Sequence, residues 1–121
     1  MADTSAGASV GDRWSGTLHL TETYGGYTCP EPSSLNFTVA SNGAVSGVQV
    51  GEDECTKTHF AVYDRVTGEL SREVFHLKLF APEGHLDFPL STPTTVKVRL
   101  TGVFTQGTTW IALINLACTN C

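Results

Sequence analysis

Four cysteines, Cys29, Cys55, Cys118 and Cys121, carry the most definite chemistry in this chain of 121 residues. An even set in a short acidic chain favours two disulfides and an oxidising compartment, secreted or periplasmic. A Cys₄ zinc site is the competing reading. Only one C-x₂-C pair is present, however, where zinc ribbons usually supply two, so no metal or other cofactor is expected. A redox-active C-x-x-C fits less well still, because that chemistry draws on a helix N-terminus and Cys118 trails off an apparent strand.

Glu52, Asp53 and Glu54 precede Cys55 directly, and Glu22 and Glu31 flank Cys29. Carboxylates gathered in that number would suit Ca²⁺, and a pair of them could serve as acid and base on a glycoside; a solvated acidic loop is the simpler expectation. The stretch from Glu22 to Pro30 places Tyr24 and Tyr27 around Gly25-Gly26, next to Cys29. Tyrosines on a tethered loop make adaptable contacts with proteins and stack on sugar rings; otherwise they serve as lids over a core. The candidate binding residues are therefore Tyr24, Tyr27, Glu31, Glu52, Asp53 and Glu54. No catalytic residue is proposed. His19, His59, His76 and His85 show no metal-ligand spacing, and Ser91 has no G-x-S-x-G turn to expose it. Asn36-Phe37-Thr38 is a glycosylation acceptor sequence whose Asn36 falls on the face opposite Leu35 and Phe37.

The elements that must position these residues read as strands. Charged residues make up 16% of the chain and it contains 12 glycines, a profile of pleated sheet and tight turns. From Arg13 to Thr21, Trp14, Gly16, Leu18 and Leu20 alternate with polar residues, a period of two that gives one strand one buried face. Leu35 to Ala40 forms the second strand. Asn42-Gly43 then turns the chain into Val45 to Val50, since both turn residues accept positive φ. Thr58 to Tyr63 and Glu73 to Phe80 are read as a hairpin around Asp64 to Gly68; a helix ending before Pro82 is the alternative for the second segment. Leu86 to Leu90 follows as an edge or a corner because of Pro89. In Thr95 to Phe104, Val96, Val98 and Leu100 face one way and Lys97, Arg99 and Thr101 the other. Gln106-Gly107 leads into Thr109 to Ala117, where Trp110, Ala112, Ile114 and Leu116 suit a core. Ile111 and Leu113 need cover on the opposite face, within the domain first of all, or from a subunit contact.

About eight strands joined by short turns predict an all-β fold: an antiparallel barrel, as a calycin-like meander, or a β-sandwich. Residues 1–11 are expected to be a flexible arm and residues 12–121 a single domain. The arm lacks a charged n-region and an apolar h-region, the pattern of a mature secreted domain started on an added Met. Strand parity also orders the cysteines. With eight strands, Cys29 and Cys55 meet at one end and Cys118 is left with Cys121 at the other. With seven, Cys29 with Cys118 and Cys55 with Cys121 becomes the alternative.

Gly11-Asp12-Arg13-Trp14 resembles the G-x-W opening of lipocalins and related calycin barrels, with two residues rather than one between Gly11 and Trp14. The resemblance covers only these residues. It implies a barrel whose tryptophan packs across the floor, and it implies no ligand.

Seven Lys and Arg against a net charge of −5 leave no basic face, which argues against nucleic acid and membrane partners. No run approaches the roughly 18 to 20 apolar residues of a membrane helix. The expected function is a non-enzymatic binding domain that recognises a protein or a carbohydrate through the loops beside Cys29 and Cys55. A small secreted protease inhibitor, a barrel enzyme or small-ligand carrier, and a structural subunit forming a homo-oligomer through its last strand are the alternatives. The carrier needs an interior polar cluster, whereas the assignable inward positions read as apolar.

Overall fold

The computed structural model describes residues 12–24, 27–55, 58–82, 84–103 and 107–121; the side chains of Tyr24, Tyr27, Asp53 and residues 58–64 lie outside the described set. The expected N-terminal arm also falls outside it. Eight strands run in chain order: β1 (Asp12–Tyr24), β2 (Tyr27–Val39), β3 (Ala44–Asp53), β4 (Thr58–Ser71), β5 (Val74–Leu79), β6 (Gly84–Pro89), β7 (Thr95–Val103) and β8 (Thr109–Cys118). No helix occurs among the described residues.

Every pairing is antiparallel, in the spatial order β6-β5-β4-β3-β2-β1-β8-β7. The last strand thus returns to pair with the first, from Trp14 opposite Cys118 to Thr23 opposite Thr109, and β6 and β7 remain as the two edges. Side-chain contacts show that this sheet rolls up. Phe75 on β5 packs edge-on against Trp14 on β1 with ring centroids 5.2 Å apart. Those strands are four places apart in the sheet, which in a flat sheet would separate them by roughly 19 Å at about 4.8 Å per strand. The result is a nearly closed barrel, one of the two expected architectures, and not two facing sheets.

Strand alternation fills the interior. Leu18, Leu20, Leu35, Val39, Val66, Leu77, Val96, Ala112 and Ile114 are buried, with Trp14, Phe37, Phe75 and Phe88 forming an aromatic cluster towards the end that holds the chain terminus. Trp14 itself is fully buried among these rings. The expected alternation in β7 is also present, with Val96 buried and Lys97 and Arg99 exposed, and Pro89 ends the edge strand β6.

Three expectations need correction. β2 begins at Tyr27 rather than near Leu35, despite Pro30 and Pro32. Glu54 donates its N–H to the Pro30 carbonyl, so these prolines turn their nitrogens away from β1, towards a stretch where the β2–β3 ladder has already ended at Ser33 and Gly51. Proline is tolerated there because no ladder donor is lost. Second, Asp64 to Gly68 is not a hairpin loop. β4 continues to Ser71, and the turn is Arg72-Glu73, whose φ values of 52° and 67° fit the two-residue hairpin type that needs both centres left-handed. Third, Ile111 and Leu113 are 37% and 51% exposed on the outer wall, so among the described residues nothing in the domain covers them. A single rolled sheet has no second layer to place there.

Candidate functional site

The β1–β2, β3–β4, β5–β6 and β7–β8 connections lie at one end of the barrel, and the remaining turns and the chain terminus at the other. Cys29 bonds to Cys55 at the first end, with Cα atoms 5.5 Å apart, and Cys118 to Cys121 at the second. This is the pairing that eight strands impose.

At the Cys29–Cys55 end, consecutive inward positions make two cross-strand rows. Gly102, Trp110, Glu22 and Cys29 stand side by side on β7, β8, β1 and β2; Leu100, Ala112, Leu20 and Glu31 form the next row inward. Glu22 and Glu31 are therefore diagonal neighbours on adjacent strands, about 7 Å apart at the backbone. They are only 8% and 6% exposed. This corrects the reading of both as residues of a solvated loop. Trp110 stays half-buried beside Glu22, and its indole lies against Gly102, where a Cβ would overlap the ring. Ser33 and Gln49 extend the polar lining inward, and Thr108 is buried near the start of β8.

Gln49 gives this end a fixed base. Its Oε1 accepts from the N–H groups of Phe80 and Ala81, both at 3.1 Å, while its Nε2 donates to the Ala81 carbonyl at 2.7 Å and to Ser33 Oγ at 3.0 Å. Ser33 Oγ donates in turn to the Leu18 carbonyl at 3.1 Å. A fully hydrogen-bonded buried network of this kind favours one arrangement of its strands. The interior is thus not uniformly apolar, contrary to the expectation drawn from alternation.

One buried carboxylate opposite a half-buried indole, with a second carboxylate diagonal to the first on the following strand, brings hydrogen-bond acceptors and an apolar platform to the same end of the barrel. That combination receives hydroxyl-rich rings and organic cations alike. The expected partner residues are only partly gathered here. Tyr24 and Tyr27 face each other as the last backbone pair of the β1–β2 hairpin, with side chains outside the described set. Glu31 points inward, Glu52 is half-buried at the end of β3, Glu54 is exposed in the following turn, and the side chain of Asp53 lies outside the described set. Among the described residues, no three acidic side chains of this end bring their oxygens within 4.8 Å of one another, so the Ca²⁺ reading gains no geometry.

Trp110 and Gln49 carry no site signal in the sequence, and Glu22 is read there only as one of the gathered carboxylates, although the alternation Leu18, Leu20, Glu22 and its counterpart Leu35, Ser33, Glu31 already place both carboxylates on the core face. Elsewhere, His19 and His85 are exposed, His76 Nδ1 lies 2.7 Å from the Asp87 carboxylate, and His59 has its side chain outside the described set. Ser91 Oγ accepts the Lys97 N–H at 2.7 Å, a turn-stabilising role. Asn36 is exposed, as its sequence position implies. It borders a shallow groove of about 380 Å³ on the outer wall, between Arg13 and Ser15 of β1 and Ser46 of β3. No protein-family model, curated protein or solved structure matches this chain.

Proposed function

We propose that this chain is a non-enzymatic binding domain of an oxidising compartment, secreted or periplasmic, that takes a carbohydrate at the Cys29–Cys55 end of its barrel. The observation that carries the reading is the cross-strand pairing of Trp110 with the buried Glu22, which has the buried Glu31 diagonal to it on β2. Sugars are bound by stacking their C–H faces on aromatic rings while carboxylates accept their hydroxyl protons, and both elements stand in adjacent rows here. The two disulfides are compatible with an extracellular or otherwise oxidising setting. The Gln49 network supports pre-organisation, which lowers the ordering cost of binding.

A glycan array probed with the purified protein tests this, followed by calorimetry with the strongest hit. Trp110→Ala and Glu22→Gln are each expected to weaken binding by on the order of tenfold or more. Absence of any glycan hit, or binding indifferent to both substitutions, removes the carbohydrate reading.

A second reading, a structural subunit that self-associates through β8, rests on the exposure of Ile111 and Leu113 on the outer wall, with Val103 diagonal to Ile111 on β7. Sedimentation equilibrium decides it: a concentration-dependent dimer abolished by Leu113→Lys favours it, and a monomer at high concentration rejects it. The inhibitor reading depends on the Tyr24 and Tyr27 side chains, which lie outside the described residues.

A further inference from the structure

At the opposite end of the barrel, Asp12 opens β1 two residues ahead of Trp14, the backbone partner of Cys118 at the close of β8. A carboxylate oxygen of Asp12 and the sulfurs of Cys118 and Cys121 all lie within 4.8 Å of one another, the one such group of three metal-ligating residues among those described. Asp12 is 4% exposed, whereas Cys118 is half-buried and Cys121 exposed, so reagents reach the sulfurs from solvent while the carboxylate is fixed beneath them.

Hydrogen bonds besides the disulfide hold residues 118–120 in place beside Asp12. Cys118 donates its N–H to the Thr94 carbonyl at 2.8 Å, and Thr119 donates its own to the Arg13 carbonyl at 2.7 Å. The Arg13 N–H is donated to Asn120 Oδ1 at 2.7 Å. These bonds tie residues 118–120 to β1 and to the turn before β7, next to Asp12, and none of them involves a sulfur; Cys121 follows directly on Asn120. The Cα atoms of the two cysteines stand 5.7 Å apart with three residues of sequence separation, the C-x₂-C spacing by which two thiolates chelate one ion.

We propose that Asp12, Cys118 and Cys121 form a redox-gated site for a thiophilic divalent cation, zinc first among them, closed while the disulfide stands and opened by a thiol or phosphine reductant. With a thiol, two equivalents give up two electrons to the S–S bond; they leave as their own disulfide and the protein gains two thiols. Zinc then displaces the two thiol protons and is held by two thiolates at about 2.3 Å and the Asp12 carboxylate at about 2.1 Å, with water in the fourth tetrahedral position. Two thiolates and one carboxylate against a doubly charged ion leave the site with one net negative charge.

The test is zinc binding by the full-length protein in its oxidised and phosphine-reduced forms, followed by native mass spectrometry and competition with a chromophoric chelator. One zinc bound only after reduction, with two protons released, is the expected result. Cobalt in place of zinc should give thiolate-to-metal charge-transfer absorption. Asp12→Asn should weaken binding by on the order of tenfold and Cys121→Ser by more. The other disulfide supplies the control: reduced protein carrying Cys29→Ser and Cys55→Ser should still bind one zinc, and protein carrying Cys118→Ser and Cys121→Ser should bind none. Either double variant suffices if the other fails to fold. Equal zinc binding by the oxidised and reduced forms overturns the proposal, and so does binding that survives loss of Cys118 and Cys121.

Discussion

Gln49 and Ala81 exchange a pair of hydrogen bonds across the barrel, from the middle of β3 to the β5–β6 connection, with the Gln49 side chain wholly buried. This amide is the polar tie between two elements that the sheet itself does not pair. Gln49→Ala leaves the Phe80 and Ala81 N–H groups and the Ala81 carbonyl without their partner. At about 1–3 kcal/mol for each of these stranded groups, the expected loss is at least about 3 kcal/mol in chemical denaturation. Gln49→Glu sets a buried carboxylate oxygen against the Ala81 carbonyl and should cost at least as much as the alanine change at neutral pH. An alanine variant as stable as the parent would mean that water replaces the amide.

Gly68 lies inside β4 at φ 139°, where a Cβ would run into the His76 carbonyl of β5. Gly107 has φ 92° and open space around it. Gly107→Ala should therefore cost only the left-handed backbone penalty of about 1–2 kcal/mol, whereas Gly68→Ala must also push β4 and β5 apart and should cost clearly more. Thermal unfolding of the two variants side by side measures the difference.

The disulfides differ in the length of chain they close, 26 residues against 3. On the loop-entropy relation, the Cys29–Cys55 bridge contributes about 3.5 kcal/mol and the Cys118–Cys121 bridge about 1.6 kcal/mol. Replacing each pair by alanines should thus lower the unfolding midpoint more for the first pair than for the second. Equal losses would point to native-state contacts, rather than loop closure, as the source of stability.

Much of this fold is legible in the residues themselves. Val96 to Thr101 alternates cleanly, Asn42-Gly43 marks its turn, and counting strands assigns the cysteine pairs. What alternation could not convey was where strands stop. Pro30 and Pro32 read as a loop because the side towards which their nitrogens turn depends on where β3 ends, a fact of the partner strand. Arg72 and Glu73 form a left-handed turn that neither residue type advertises, while Thr67-Gly68 looks like a turn and is strand. Reading β1 and β2 short is what conceals the inward direction of these carboxylates. Strands cut short leave Glu22 and Glu31 in a loop; at full length their parity places both carboxylates inside, Glu22 opposite Trp110 and Glu31 diagonal to Glu22.

The most direct test of binding at this end is a backbone-amide chemical-shift titration of isotope-labelled protein with the best oligosaccharide from the array. The proposed function predicts saturable shifts centred on Glu22, Glu31, Gly102 and Trp110, with a shift of the Trp110 indole N–H and little change around Asp12 and Cys118. Shifts confined to the outer wall or to the Cys118–Cys121 end, or none at saturating sugar, would contradict it.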